Sequence, residues 1–312
     1  MSSSAWLHGS YAASIAERAE EESRRRIVIL VTAATGNVGS YLVRELREQG
    51  LPVRAFVRDP TKAAEQLGDG VDLTVGDFSE PESVRHALEG VDKLFLACPN
   101  HPRQVDYETG VVDAAGAAGV ERIVKLSTLA AQVGSPVDFW DWQGRIEQHL
   151  RRSDVPAVIV AASTFMSNLF SVAESVRREG RIYAPADGAS ISWVDPRDVA
   201  AVAAVALTVG GQEGKTHVVT GPEALTYAEV AQTLSQVTGR SVEFVNVPPE
   251  AAYASMVAAG MPNWVARNLV RMLEFFQKGA AEQTTDTVRK LTGREPQTFT
   301  EFAQDHATLF RA

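Results

Sequence analysis

Residues 26–58, RIVILVTAATGNVGSYLVRELREQGLPVRAFVR, constrain the fold of this chain more than any other stretch. Ile27 to Thr32 is almost wholly apolar and rich in β-branched residues, the pattern of a strand buried on both faces of a parallel sheet. Ala33-Ala34-Thr35-Gly36-Asn37-Val38-Gly39 follows directly, and Val38, Leu42, Val43 and Leu46 then recur at helical spacing until Gly50. A strand, a glycine turn and a helix in that order aim backbone N–H groups and the positive helix end at an anion, and let a pyrophosphate come close. The next strand, Val53 to Val57, delivers Arg58 where a dinucleotide fold reads the adenosine ribose. A guanidinium there pairs with a 2′-phosphate, so NADP(H) is expected rather than NAD. The glycine spacing departs from G-x-x-G-x-x-G at its first position, Ala33, so the turn is expected to form without positive φ at that residue.

Strand and helix patterns continue to alternate from Leu51. Strands are predicted at 71–75, 93–97, 122–126 and 157–161, with helices starting at Pro81 and Arg103. Six strands alternating with helices predict an α/β fold, a Rossmann-type doubly wound parallel sheet with its ligand at the carboxyl ends of the strands. Those ends are residues 33–39, Arg58, Asp77-Phe78, Cys98-Pro99, Ser127-Thr128 and Ala162-Ser163. Beyond Gly180 shorter strand-like pieces at 182–184, 190–194, 216–219 and 242–247 mix with helices, predicting a smaller α+β substrate-binding region over that edge. The domains are expected at 26–180 and 181–312, with some interleaving. Met261 to Ala281 suits either a lid or ordinary core packing, and residues 1–25 are expected to be an extension dispensable to the fold.

Composition bounds the function. A chain of 312 residues with 45% hydrophobic content and 22% charged content is long enough for one large core or two smaller ones. A formal net charge of −9 argues against nucleic acid as a partner, and no run is long and apolar enough to span a bilayer. Cys98 is the only cysteine, which leaves no intrachain disulfide and no cysteine-rich metal site and suits a reducing cytoplasm.

Several motifs in order, TAATGNVG, FVRDP, GDFSEPES, TFMSNL, SISWVDPRDVAAVAAVAL and TGPEALTYAEVAQTLSQVTGR, resemble the NmrA-like branch of the atypical short-chain dehydrogenase/reductases. The resemblance runs from about residue 27 to about residue 309. It implies an NADP(H)-binding Rossmann domain, with Thr35, Gly36, Asn37, Val38 and Gly39 on the pyrophosphate and Arg58 on the 2′-phosphate. Asp77 and Phe78 would take the adenine edge, and Cys98 the ribose-side wall. Family members include quinone and ketone reductases and redox-sensing regulators without turnover.

Typical dehydrogenases of this superfamily protonate the substrate oxygen with a tyrosine whose pKa is lowered by a lysine four residues later. Here no tyrosine lies between Tyr107 and Tyr183 and no lysine between Lys125 and Lys215, although Ser127 stands where the superfamily's serine would be. Ser127, Thr128 and His101 are the candidates to replace the proton donor, each with an ordinary structural role as the alternative. Trp142, Phe165, Met166 and Asn168 are candidate substrate contacts; Trp140 and Trp142, two apart on a helix, are not expected to face one site together. The chain further resembles ketoreductases of aromatic polyketide pathways that lack the tyrosine–lysine pair. That implies hydride transfer from NADPH to a polycyclic aromatic ketone. A quinone oxidoreductase and a non-catalytic NADP(H) sensor are the alternatives, and the sequence does not set the oligomeric state.

Overall fold

The computed structural model describes residues 27–311; the 1–25 extension lies outside the described residues. The first half alternates strictly: β1 (Ile29–Val31), α1 (Gly39–Glu48), β2 (Val53–Val57), α2 (Pro60–Leu67), β3 (Asp72–Val75), α3 (Pro81–Leu88), β4 (Lys93–Leu96), α4 (Gln104–Ala117), β5 (Arg122–Thr128), α5 (Asp138–Leu150) and β6 (Ala157–Ala162). A 3₁₀ turn (Met166–Val172) leads to α6 (Ala173–Glu179), β7 (Arg181–Ala184), β8 (Ser190–Ile191), α7 (Pro196–Thr208), β9 (Thr216–Val219), β10 (Leu225–Thr226), α8 (Tyr227–Thr238) and β11 (Glu243–Asn246). Helices α9 (Pro249–Ala258), α10 (Asn263–Phe276), α11 (Thr287–Thr292), α12 (Phe299–Asp305) and α13 (Ala307–Phe310) complete it.

The main sheet has seven strands in the order β3-β2-β1-β4-β5-β6-β9, every pair parallel. The doubly wound α/β expectation holds, and the alternation of side chains explains its layers. Ile29, Val31, Phe95, Val124 and Val160 join one core with α1 and α7, whereas Leu30, Leu94, Leu96 and Ile123 join the core beneath α3 and α4. Chain order reverses between β1 and β4, so the loops after these strands diverge and open a crevice at their carboxyl ends.

Beyond residue 180 the chain returns to the main sheet. β9 pairs with β6 in the main sheet, and α7 packs on α1 through Val199, Val202, Ala203 and Leu207, so both belong to the dinucleotide-fold unit. Helix α7 is almost wholly buried and alanine-rich, which allows a close approach to the sheet; Pro196 opens it and Asp195 caps it by accepting from the Arg197 N–H at 2.7 Å. What remains of the second region is a lobe built on two small sheets, β7 with β11 and β8 with β10, and a second apolar core. Met261–Ala281 contributes Leu273, Phe276 and Ala281 to that core. Asn268, 2% exposed, ties α10 to the start of α5, accepting from the Asp138 N–H at 2.7 Å and donating to the Asp138 carboxylate at 2.9 Å. This segment packs as part of the second lobe's core.

The turn after β1 also differs from expectation. Ala33 adopts φ 47°, the positive-φ non-glycine among the described residues, at a cost of about 1–2 kcal/mol. The reason is Gly39: a Cβ there would lie 2.2 Å from the Ala33 oxygen, so the helix start is pressed onto the turn and the backbone at 33 has to bend left-handed. The Gly36 N–H donates to that same oxygen at 2.8 Å and closes the turn.

Candidate active site

The backbone N–H groups of Asn37 and Val38 have no acceptor among the described residues and sit at the N-terminal end of α1. A diphosphate supplies the acceptors such a turn lacks, and the residues present fit one. Val38 is buried and serves by packing, and Thr35 accepts at its carbonyl from the Gln66 amide at 2.9 Å, which fastens the turn to α2. Arg58, exposed just past β2, forms no ion pair among the described residues, because the neighbouring Asp59 is occupied in capping α2 through the Thr61 and Lys62 N–H groups at 3.1 Å. Its guanidinium is free for a phosphate.

Beyond it lies Asp77, held below the usual carboxylate range first by the Ser79 hydroxyl, then by the Ser79 backbone N–H, with Arg58 and His101 adding favourable charge. Phe78 packs against Phe56 and Tyr107, with ring centres 5.5 and 6.5 Å apart. These groups form one polar and aromatic ledge beside Arg58. His101 belongs to it: its ring stacks on Tyr107 at 5.1 Å and its Nδ1 accepts from the Arg103 N–H at 3.1 Å. The structure puts His101 on the ledge and outside the cleft lining described next.

From the turn a cleft of about 410 Å³ runs under the roof of the second lobe. Asn37 lines its cofactor end with Cys98, Ser127 and Thr128; Trp140, Phe165, Asn168 and Phe276 line the far part. Burial pushes the Cys98 thiol up to about 12, with the Glu108 charge adding to the shift, which disfavours its thiolate. Two expected substrate contacts are corrected. Trp142 faces away and packs against Phe139 and Trp264 at 5.8 and 5.7 Å, so Trp140 lines the cleft in its place; residues two apart on a helix point in nearly opposite directions. Met166, 1% exposed, lies in the second lobe's core and does not line the cleft.

The sheet side of the cleft holds a buried polar network around Ser127 and Glu147. Ser127 donates its proton to Glu147 Oε1 at 2.5 Å, and Glu147 pairs in turn with Arg151 at 2.9 Å. The serine hydroxyl is therefore directed into the protein. Gln143, four residues before Glu147 and so on the same face of α5, lines the cleft. This glutamine and glutamate repeat the four-residue spacing of the missing tyrosine–lysine pair, the one signal in the sequence that would have marked them. Behind Cys98 lies a sealed charge pair: Lys125 Nζ is 2.9 Å from Glu108 Oε2, both side chains are 0% exposed, and Gln104 donates to Glu108 at 2.8 Å.

Among the described residues no cluster of His, Cys, Asp or Glu is suited to hold a metal, and no helix is long and apolar enough to cross a membrane. The chain is 40% identical to an NAD(P)H azoreductase of Xenophilus azovorans, over 91% of this chain and 100% of the relative. It is 39% identical to a (4-alkanoyl-5-oxo-2,5-dihydrofuran-3-yl)methyl phosphate reductase of Streptomyces griseus, over 91% and 99%. The Escherichia coli NADPH-dependent quinone oxidoreductase QOR2, solved with NADPH, superposes with a TM-score of 0.82 at 27% identity over 90% of this chain and 99% of that one. The NmrA-like family model matches residues 25–303, and the chain belongs to the NmrA-like family.

Proposed function

We propose that this chain is an NADPH-dependent reductase of planar aromatic ketones or quinones. The observation that carries this reading is continuity: Asn37 of the diphosphate turn lines the same cleft as Trp140, Phe165 and Phe276. A nicotinamide held from that turn would face an aromatic-walled chamber with no ionised side chain in its lining. NADPH supplies the hydride, and the protein's part is to hold the acceptor carbon next to it and keep water out. The azoreductase and quinone oxidoreductase relatives favour flat, conjugated acceptors. A hydroxylated polycyclic ketone of polyketide type fits as well, because its internal hydrogen bond to the carbonyl removes the need for a tyrosine. Single-turnover absorbance at the NADPH band, with quinones, azo dyes and aromatic ketones, tests the reading. Loss of the band with at least one class is expected, and persistent silence favours an NADP(H) sensor.

Arg58 is the 2′-phosphate contact in this reading. Arg58→Ala is expected to weaken NADPH binding by about 1.5–3 kcal/mol and to leave NADH nearly unchanged. Titration of both cofactors checks this, and equal losses would show that Arg58 does not discriminate between them.

Protonation needs no dedicated side chain. Ser127→Ala, Thr128→Ala and His101→Ala are each expected to retain substantial activity, since the Ser127 hydroxyl donates its hydrogen bond to Glu147 and His101 is stacked on Tyr107. Loss of a true general acid costs about 10²–10⁴-fold, so a drop of that size in one variant, measured at saturating NADPH, identifies a donor and rejects the proximity mechanism.

A further inference from the structure

We infer that Gln143 is the specificity residue of the acceptor site, holding the acceptor's oxygen by a hydrogen bond from its side-chain amide N–H. This rests on the reductase reading for the identity of the ligand, but its geometric basis is separate. Gln143 lines the cleft, yet its Oε1 is closed off from solvent and meets no hydrogen-bond donor among the described residues. A buried amide oxygen without a donor costs stability, and such exceptions in a native protein call for a reason. With the oxygen turned inward, the amide nitrogen is the polar end left for the cleft.

Most other polar side chains of the lining are engaged or sit at the rim, and the Thr128 and Thr164 hydroxyls are the remaining competitors. Ser127 donates to Glu147, Ser163 pairs with Ser192 at 3.0 Å, and Asn37 donates to Ser167 at 3.3 Å. Asn100 and Asn168 are exposed at the rim. Gln143 is half-buried and lines the cleft together with Trp140, one turn earlier on the same helix, where exclusion of water strengthens a hydrogen bond. Its position is also held firmly. A Cβ on the next residue, Gly144, would lie 2.5 Å from the backbone of Gln132 and Val133, so the helix presses directly on that loop. The Gln132 N–H donates to the Trp140 carbonyl at 3.0 Å and the Gly134 N–H to the Asp141 carboxylate at 2.7 Å, locking the same contact.

An amide donates a hydrogen bond but has no proton to give up. Gln143 therefore orients the acceptor and steadies charge developing on its oxygen, while the proton comes from elsewhere. Acceptors that present a hydrogen-bond-accepting oxygen beside a flat ring are selected, and hydrocarbons of the same shape are not.

The test measures binding without turnover. With NADP⁺ saturating, titration of 1,4-naphthoquinone and of naphthalene is followed by quenching of tryptophan fluorescence, for which Trp140 in the cleft wall is the reporter. Gln143→Leu and Gln143→Glu, the second preserving shape while removing the N–H donors, are each expected to raise the naphthoquinone Kd about five- to tenfold. For Gln143→Leu, which adds no charge beside the cofactor, NADP⁺ affinity is expected to stay unchanged and naphthalene affinity not to fall, and in steady-state assays KM for the quinone is expected to rise more than kcat falls. Parallel shifts for quinone and hydrocarbon would reduce Gln143 to a packing residue, and wild-type protein that binds the two alike or binds neither would also overturn the inference. If the wild type binds naphthoquinone through Gln143 but never consumes NADPH, the reductase reading fails and the binding role stands.

Discussion

Lys125→Met is expected to remove about 3–5 kcal/mol of folding stability, because it leaves the Glu108 carboxylate buried without its counter-charge. The pair is sealed, with both side chains 0% exposed and Nζ 2.9 Å from Oε2. Burial pushes the Glu108 carboxyl above its ordinary range, while Lys125 and the Gln104 amide pull the other way. Removing the lysine leaves burial less opposed, so the carboxyl takes up a proton more readily in the folded state than in the unfolded chain. A group whose folded pKa is raised in this way stabilises below its unfolded pKa and loses that contribution as pH rises through the folded value. The deficit of Lys125→Met is therefore largest at neutral pH and shrinks as pH falls towards the ordinary carboxylate value of 4.5. Urea melts at several pH values read this directly. Replacing both partners, Lys125→Met with Glu108→Leu, is expected to recover most of the loss, since an apolar pair of similar volume avoids the desolvation of two charges. A single-variant loss below about 1 kcal/mol, or a double variant no better than the single, would show that the charges are not coupled in the folded protein.

Gly39→Ala is expected to raise the Kd for NADPH by at least about a hundredfold, equivalent to about 2.7 kcal/mol. The added Cβ would meet the Ala33 oxygen at 2.2 Å, and the Ala33 carbonyl carbon and Ala34 Cα at 2.9 Å. All three are backbone atoms, so no side chain can turn aside. The turn has to open, and opening it separates the Asn37 and Val38 N–H groups from the helix end that makes them an anion site. Gly36→Ala is the control: its Cβ would lie 3.1 Å from the same oxygen, which a small shift relieves, so its effect is expected to be several-fold smaller. Isothermal titration of both variants, with circular dichroism to confirm the fold, decides the matter. Equal losses would mean that the turn tolerates displacement and that the diphosphate is held elsewhere.

Local features of the sequence determined the main sheet's first six strands, the glycine turn after β1 and the position of Arg58. The cause is that a strand buried on both faces has to be a continuous apolar run, and a turn that admits phosphate has to be small. Asn37, Cys98, Ser127, Thr128, Phe165 and Asn168 reach one cleft because they stand at or just past the carboxyl ends of strands in a single parallel sheet. The tertiary structure decided what depends on partners far along the chain. β9 reads alone as a generic short strand and becomes the seventh of the sheet only through β6. Ala33 takes positive φ because Gly39 is pressed against it, a contact that residue preferences at position 33 do not contain. Trp140 rather than Trp142 lines the cleft because α10 brings Trp264 to cover the latter. Glu147 is an unremarkable helix glutamate until the fold places it 2.5 Å from Ser127, and Lys125 is an isolated lysine in an apolar strand until α4 supplies Glu108. Apolar patterning sets where elements form, because burial acts on whole faces; hydrogen bonds and charge pairs act over a few ångströms, so their partners exist only once the chain has folded.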